Sequence, residues 1–278
     1  MSVRQRFCVA LLFAVTTGVF SSVNGRLSCA DQLQPAAPFI MGYTSALSCS
    51  PGEELGFHFS GSEGSVHLRI DRVGGTTEAV FERSGIDCAA HPIPDRASSD
   101  GCGWPAAFQL TIPEDWRSGV YIATVSPDKG DSKAQARILF VVRAAAPGQS
   151  SRILLQLATN TYNAYTNWGG HSLYAYHDRD GLQGHRVSFD RPLNSQFNNW
   201  ELPFVHWAES NGYVLEYAVN SDLEFHPEIL KHYRLVLSIG HDEYWSSPMR
   251  DSLEAFIGDG GNVAFFSGNT CCWQVRNE

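Results

Sequence analysis

Residues 235–266 read LVLSIGHDEYWSSPMRDSLEAFIGDGGNVAFF and establish the architecture of the second half of the chain. Two apolar runs, residues 235–239 and 263–266, are typical of strands buried on both faces of a sheet. Between them the pattern predicts a helix that Ser247 caps, with Pro248 in its first turn. The apolar stripe of this helix consists of Met249, Leu253, Phe256 and Ile257. The glycines that end the helix are Gly258, Gly260 and Gly261. A strand, a helix and a strand at this spacing predict a βαβ unit and a mainly parallel sheet.

Two earlier apolar runs extend this sheet toward the N-terminus. Residues 153–158 and 213–219 are similar to the strands of the βαβ unit. We therefore predict an α/β domain over residues 151–278. Its sequence ends soon after the fourth predicted strand, where a doubly wound fold normally continues, so the pattern also predicts a fragment that lacks part of an active site.

The first half of the chain has a different period. Short extended segments, separated by turn residues such as Ser50, Pro51 and Gly52, run from about residue 39 to residue 143. The segments are 55–60, 65–72, 79–83, 106–112, 119–126 and 137–142. Regular short strands without amphipathic helices predict an immunoglobulin-like β-sandwich over residues 30–145. A linker of small residues follows at residues 144–150.

Residues 1–25 have the composition of a secretory signal. Arg4 and Arg6 precede an apolar run at residues 7–20, and small residues follow it. We predict a signal peptide and a secreted or exported protein, periplasmic or extracellular. An uncleaved anchor is the alternative. No other stretch of the sequence is apolar and long enough to predict a membrane span.

Charge and cysteine content narrow the classes of partner. The 20 basic and 29 acidic residues give a formal net charge of −9, which argues against nucleic acid and anionic membranes as partners. In an exported chain the cysteines predict disulfides, with Cys88–Cys102 first and Cys29–Cys49 second. The sequence has no CxxC pair, so a zinc–thiolate site is not expected.

Each of three predicted strands is followed by a polar, aromatic-rich loop. Parallel strands end at the same edge of a sheet, so side chains in these loops are expected to converge into a pocket. The candidates are Tyr162, His241, Glu243 and Asn269. Two alternatives stay open here: Tyr162 as an aromatic core residue that covers the sheet, and His241 as an ordinary histidine paired with neighbouring carboxylates.

Several motifs, in order along the chain, carry a family resemblance. They are GYT at 42–44, WRSGVY at 116–121, NTYNAYTNWGG at 160–170, VSFDRPL at 187–193, GHDEYW at 240–245 and GGNVAFFSGNT at 260–270. With these motifs the chain resembles the large (beta) subunit family of N,N-dimethylformamidase. The likeness extends over almost everything after the predicted signal.

The resemblance implies a three-layer, glutamine-amidotransferase-like α/β fold that works without the cysteine of that fold. It also implies a mononuclear iron, expected as Fe³⁺, held by two tyrosines and a glutamate. The glutamate falls on Glu243. One tyrosine falls on Tyr162, with Tyr165 as its rival, and the other on Tyr121 at the end of the sandwich. The metal would then lie where the two domains meet.

The implied reaction is hydrolysis of a small amide to an acid and an amine. Phenolate and carboxylate oxygens are hard ligands that suit Fe³⁺. His241 or a nearby carboxylate would shuttle a proton, and Asn269 would donate to the developing oxyanion. The expected partner is the small amide substrate. Further copies of the chain, in a homo-oligomer, are a second candidate partner. The family enzyme is cytoplasmic with a small partner subunit, and the predicted export signal departs from that pattern.

Two other functions remain open on the sequence alone. One is a non-catalytic secreted protein that binds a carbohydrate or a peptide on the same fold. The other is an amidotransferase-like hydrolase of carbohydrate derivatives that needs no iron. A tyrosinate-to-iron absorption band in the visible range would separate the iron enzyme from both.

Overall fold

The computed structural model describes residues 37–130, 133–174 and 183–278. The predicted signal at residues 1–25 lies outside these residues. None of the described helices has the length and apolar character needed to cross a bilayer. Residues Ala37–Glu278 form one compact unit, so both predicted domains are parts of a single folded body.

The first half of the described chain forms eight strands and one short helix. These strands form two sheets. All their pairs are antiparallel, except that the second and the eighth strand of the chain run parallel to each other. The elements are β1 (Ile40–Thr44), β2 (Ser48–Cys49), β3 (Glu54–Gly61), β4 (Gly64–Val73), β5 (Thr77–Cys88), α1 (Ala97–Asp100), β6 (Ala106–Thr111), β7 (Gly119–Pro127) and β8 (Ala136–Val142). The smaller sheet has the order β1-β3-β6 and the larger one β2-β8-β7-β4-β5. Each of the six predicted segments overlaps one of these strands.

The two sheets pack face to face around alternate apolar side chains. The fully buried rings of Phe57 in β3 and Phe140 in β8 lie 5.9 Å apart, edge to face. Successive residues of a strand point to opposite faces of the sheet. In β7, Tyr121 therefore faces this core, while Val120 and Ile122 face the second half of the chain.

The second half of the described chain alternates strands and helices. The elements are β9 (Ile153–Leu157), α2 (Thr159–Tyr165), α3 (Glu201–Ser210), β10 (Glu216–Val219), α4 (Asp222–Phe225), a 3₁₀ helix (Pro227–His232), β11 (Leu235–His241), β12 (Tyr244–Ser246), α5 (Ser247–Gly258), β13 (Asn262–Gly268) and β14 (Trp273–Val275). Four strands form a sheet in the order β10-β9-β11-β13, and all its pairs are parallel. The parallel pairing expected from the βαβ pattern is thus confirmed. The short strands β12 and β14 pair separately.

Two local predictions are corrected at the helices. Ser246, rather than Ser247, caps α5, because its hydroxyl accepts a hydrogen bond from the Met249 N–H at 3.3 Å. A capping side chain reaches the backbone two or three residues ahead, which places the cap before the first helical turn. Residues 159–165, expected as a loop, form α2. The segment TNTYNAY is poor in strong helix formers, but six of its seven residues are buried, so tertiary packing makes it helical.

Buried ion pairs join the two halves. Arg72 of β4 contacts Glu209 of α3 at 2.9 Å, and Arg143, directly after β8, contacts Asp222 of α4 at 2.9 Å. The arginine side chains are only 9% and 10% exposed. Removal of one partner from such a pair leaves an uncompensated buried charge, so these contacts hold the halves firmly together.

The predicted linker is anchored to the α/β half. The buried carboxylate of Glu216, in β10, accepts three backbone hydrogen bonds of 2.8 to 3.0 Å, two from the linker and one from the residue that follows it. The donors are Gly148, Ser150 and Ser151. The hydroxyl of Tyr233 donates to the same carboxylate at 2.6 Å. The linker is therefore an ordered part of the fold.

Cys88 and Cys102 are free thiols, so the predicted disulfide between them is wrong. Cys88 lies in the sandwich core, while Cys102 packs in a separate cluster with Tyr43 and Trp104. Burial raises the pKa of Cys88 to about 11 and that of Cys102 to about 12, so both thiols stay protonated and unreactive at neutral pH. Cys49 is also free, and its predicted partner Cys29 lies outside the described residues.

Candidate functional site

The turn after β11 brings an acidic and a basic side chain to the carboxyl edge of the parallel sheet. The hydroxyl of Tyr165, at the end of α2, donates to Glu243 Oε2 at 2.8 Å. His241 Nε2 lies 3.5 Å from the same oxygen. A single carboxylate oxygen therefore contacts a phenol and an imidazole. We refer to Tyr165, His241 and Glu243 as the site cluster.

Helix α2 also holds the backbone of this turn. Thr161 Oγ1 accepts hydrogen bonds from the N–H groups of Glu243 at 2.9 Å and Tyr244 at 3.3 Å. Thr161 and Tyr165 are four residues apart and so lie on the same face of the helix. One face of α2 therefore fixes both the main chain and the side chain of Glu243.

Aromatic rings surround the phenol of Tyr165. Tyr174 stacks on it with ring centroids 4.5 Å apart, and the rings of His241 and Tyr244 meet it edge-on at 5.5 and 6.2 Å. Burial, and then the hydrogen bond to the Glu243 carboxylate, raise the pKa of Tyr165 above the usual value for a phenol. Burial likewise raises the pKa of Tyr244 to about 12. Without a cation nearby, both phenols are protonated at neutral pH.

Tyr162 lies elsewhere, against the start of α3. Its hydroxyl donates to the carboxylate of Glu201, and both side chains are fully enclosed. Burial raises the pKa of Glu201 to about 7, although the hydrogen bond from Tyr162 opposes the shift. In the described part of the chain, Glu201 Oε2 has no hydrogen-bond partner. The tyrosine that reaches Glu243 is therefore Tyr165, the rival that the sequence left open.

Tyr121 is not brought to the site cluster. Its ring stacks between Trp116 at 4.8 Å and Phe140 at 5.5 Å, inside the sandwich. Its hydroxyl donates to the backbone carbonyl of Arg117 at 2.6 Å, a bond that recurs in β-sandwiches where a tyrosine secures a corner. Strand alternation turns the ring away from the α/β half, so the expectation that Tyr121 meets Glu243 at the junction of the halves is corrected.

Asn269 lies at the end of the neighbouring strand. Gly268, the residue before it, pairs with His241 across β11 and β13. Asn269 is exposed and has a left-handed backbone, with φ of 49°, a conformation that asparagine adopts more readily than most residues. Its carbonyl accepts a hydrogen bond from the Cys272 N–H at 3.2 Å. Its role as an oxyanion donor stays a prediction.

A family comparison covers the residues of this site. The family model described as "N,N-dimethylformamidase beta subunit-like, C-terminal" matches residues 68–278. The chain belongs to this family. The resemblance carried by the sequence motifs is thereby confirmed, and the matched range of the N,N-dimethylformamidase beta subunit-like chain includes the whole site cluster.

Two curated relatives are each named N,N-dimethylformamidase beta subunit. The protein from Alcaligenes sp is 26% identical over 221 residues, and the protein from Paracoccus aminophilus is 26% identical over 220 residues. The alignments cover 64% and 63% of this chain but 28% of each relative. The chain therefore spans less than a third of the length of the relatives that it matches.

Sequence reasoning missed several residues of this N,N-dimethylformamidase-like site. Thr161 carried a usable signal: if residues 159–165 are treated as a helix, the four-residue spacing places it on the same face as Tyr165. Tyr174 and Glu201 carried no such signal. They come from segments outside the predicted strands, and tertiary packing alone brings them to α2.

The composition of the site limits the metal centres that it could form. Among the residues that the structure describes, no three His, Cys, Asp or Glu side chains are grouped closely enough to hold a metal ion. A separate cavity of about 810 Å³ lies on another side of α2, where Asn160 and Asn163 line it, and the site cluster does not contribute to its lining.

Proposed function

We propose that the site cluster is the reactive part of a site that hydrolyses a small amide to an acid and an amine. Membership of the N,N-dimethylformamidase beta subunit-like family supports this proposal, as do the names of the two relatives. The observation that carries it is the contact of Glu243 Oε2 with both the Tyr165 hydroxyl and the His241 imidazole. These groups lie at the carboxyl edge of a parallel sheet, where α/β folds bind their ligands.

We further propose iron as the metal that this site would hold. The oxygens of Tyr165 and Glu243 lie 2.8 Å apart. Phenolate and carboxylate are hard anionic donors that favour a hard cation such as Fe³⁺, so the residues present fit the group. Bound iron would supply a Lewis acid that polarises the amide carbonyl.

The rings beside Tyr165 offer a second phenol. Tyr174 stacks on Tyr165, and Tyr244 meets it edge-on. Either one is a candidate for the second tyrosine that the family resemblance implies. The hydroxyls of Tyr121 and Tyr162 are instead bonded to Arg117 and Glu201, which argues against both as ligands.

The chain's own residues would then manage the proton. His241 Nε2 is placed to accept a proton from the attacking water and to return it to the nitrogen of the departing amine. Thr161 keeps Glu243 oriented through the backbone of the turn. The aromatic rings of Tyr174 and Tyr244 restrict the entry of bulk water, which strengthens electrostatic interactions inside the site.

Three wider features are also proposals. We propose that the sandwich is immunoglobulin-like and that the α/β half is glutamine-amidotransferase-like, with support from the sheet orders described above. Export rests on the composition of residues 1–25. Because both relatives are named as subunits, we propose that this chain functions as part of an oligomeric enzyme.

Iron content and absorption of the purified protein test the ligand set. Iron-loaded wild-type protein should retain the metal and show a tyrosinate-to-iron band in the visible range. Tyr165→Phe and Glu243→Gln should lose both signals. Tyr162→Phe and Tyr121→Phe serve as matched controls and should keep both. Loss of the band in Tyr162→Phe with its retention in Tyr165→Phe would reverse this ligand choice.

Release of dimethylamine from N,N-dimethylformamide, with other small amides in parallel, tests the reaction. His241→Ala should retain iron but lower kcat/KM about 10²–10⁴-fold, the usual contribution of a general acid–base residue. A wild-type protein that binds no iron would refute the cofactor proposal. An iron-loaded protein that cleaves none of the amides would refute the proposed reaction.

A further inference from the structure

A buried carboxylate lies directly beneath the site cluster. Asp242 is 0% exposed, and its side chain is turned into the parallel sheet. The carboxylate accepts hydrogen bonds from Ser238 Oγ at 2.7 Å, from Asn220 Nδ2 at 3.2 Å and from Gln156 Nε2. All three donors are themselves buried, so the whole network is shielded from water.

The partners of Asp242 come from every strand of this sheet. Gln156 lies in β9, Ser238 lies in β11, and Asn220 directly follows β10. The backbone N–H of Asp242 donates to Ser267 Oγ, in β13, at 3.0 Å. One residue therefore connects the carboxyl ends of all four strands.

Backbone atoms extend the network to the pair of short strands. The carbonyl of Asp242 accepts hydrogen bonds from Trp245 Nε1 at 3.0 Å and from the Cys271 N–H at 3.1 Å. The carbonyl of Glu243 accepts one from the Trp273 N–H, in β14, at 2.9 Å. The turn at residues 241–245 is thus held through both its main chain and the side chain at its centre.

This carboxylate is buried with neutral hydrogen-bond partners. Burial raises the pKa of Asp242, and the hydrogen bonds from Ser238, Asn220 and Gln156 oppose that shift. A buried carboxyl group costs free energy unless its acceptors are filled, and an apolar side chain would pack at lower cost.

We propose that Asp242 is a positioning residue, which locks the turn at residues 241–245 to the sheet so that His241 and Glu243 face Tyr165. With the side chain of Asp242 turned into the sheet, the side chains of His241 and Glu243 both contact Tyr165 of α2. The chemistry that the turn serves rests on the proposed function, but the locking is a property of this chain alone.

Asp242→Asn and Glu216→Gln are the variants that test the lock. Asparagine keeps the shape of the side chain but replaces one acceptor by a donor, so a donor would face another donor in the network. Glu216 is the matched control, because it is also a buried carboxylate whose acceptors are filled by neutral donors. Its contacts hold the linker, and none of them involves the turn.

Amide hydrogen exchange in residues 241–245, together with the melting temperature, is the primary measurement. Both variants should melt at a lower temperature, but only Asp242→Asn should accelerate exchange in the turn, by about tenfold or more. If Asp242→Asn does not fold, Ser238→Ala removes one donor and should accelerate exchange by roughly threefold. The proposal would be overturned if residues 241–245 exchanged at the same rate in Glu216→Gln as in Asp242→Asn, or as in Ser238→Ala where that variant is used instead.

Iron retention and N,N-dimethylformamide hydrolysis form the second arm. Asp242→Asn should lose iron or lower kcat about tenfold with little change in KM, whereas Glu216→Gln should do neither. Faster exchange in the turn, alongside a wild-type protein that neither binds iron nor cleaves amides, would refute the proposed function and leave the positioning role supported. Normal exchange alongside an active wild-type protein would refute the positioning role alone.

Discussion

Two regions of the molecule bury carboxylates, and they do so by opposite means. Between the halves, each carboxylate faces an arginine that is itself buried. Within the α/β half, Glu201 and Asp242 depend on tyrosine, serine and amide donors instead. The arginine pairs are Arg72–Glu209 and Arg143–Asp222.

The consequence of this difference is visible in the protonation of the acids. Burial alone would raise the pKa of Glu209, but the hydrogen bonds from Arg72 and Tyr217 outweigh it and lower that pKa. Burial prevails at Glu201 and raises its pKa to about 7. The carboxylates paired with arginine thus fix the two halves together, whereas Glu201, which is held by a neutral tyrosine, takes up a proton near neutral pH.

The largest expected effect is the loss of an arginine from the interface. Arg143→Met leaves Asp222 buried without its cation, so the free energy of unfolding should fall by about 3–5 kcal/mol. Urea denaturation measures it. Arg69→Met breaks ion pairs at the surface, where the arginine side chain is 44% exposed, and should lower the free energy of unfolding far less, because solvent screens such pairs. Equal losses in the two variants would remove the distinction between the regions.

The next effect is a pH dependence of opposite sign in the two regions. The folded-state pKa of Glu201 is raised, so the unfolded chain ionises first and stability falls as the pH rises from about 4.5 to about 7. This group should cost roughly 3 kcal/mol at pH 8 relative to pH 4. Glu201→Gln should remove that loss, which unfolding curves at several pH values would show.

Glu209→Gln is the counterpart at the interface. The pKa of Glu209 is lowered, so its stabilisation is present above the unfolded-state pKa and is lost as the pH falls through the folded-state value. The variant should therefore lose stability at neutral pH and converge with the wild type in acid. Stability curves of Glu201→Gln and Glu209→Gln that run parallel would contradict the assignment of the two regions.

A smaller effect separates the two tyrosines of α2. Tyr162→Phe leaves Glu201 without its hydrogen bond inside the core and should cost about 1–3 kcal/mol of stability. Tyr165→Phe should cost less, because Tyr165 is only partly buried, but it should abolish iron retention. Melting temperatures and iron content, measured on the same samples, check that Tyr162→Phe loses more stability while Tyr165→Phe loses more iron.

The smallest expected effect lies in the sandwich. Tyr121→Phe removes the hydrogen bond to the Arg117 carbonyl and should cost about 1 kcal/mol, with no change in iron content. Thermal unfolding and metal analysis check both values. Loss of iron in this variant, with the fold intact, would return Tyr121 to the ligand set.

Local patterns predicted the long elements well and the short ones poorly. The apolar runs of β9, β11 and β13 and the stripe of α5 were visible because each follows a clear period. The strands β2, β12 and β14 are two or three residues long and exist only because a distant segment pairs with them. Helix α2 was missed because its residues have weak helix propensity and its packing is not encoded locally.

The same limit applies to the site. Glu243 and His241 were predicted because they follow a recognisable strand, at the edge where parallel strands end. The choice between Tyr162 and Tyr165 depended on how α2 is rotated about its axis, because residues three apart on a helix point in different directions. Tyr121 was misplaced because a motif match does not tell which face of its strand a side chain occupies.

For this chain, periodicity along the backbone was enough to predict the longer strands and the βαβ unit, and short motifs were enough to carry the family resemblance, because these features depend on residues close together in sequence. The contacts of the site and of the interface join residues far apart in sequence, such as Arg72 with Glu209 and Tyr165 with Glu243. Burial and helix phase select those partners from many chemically similar candidates. Both arise only when the sheets and helices have packed.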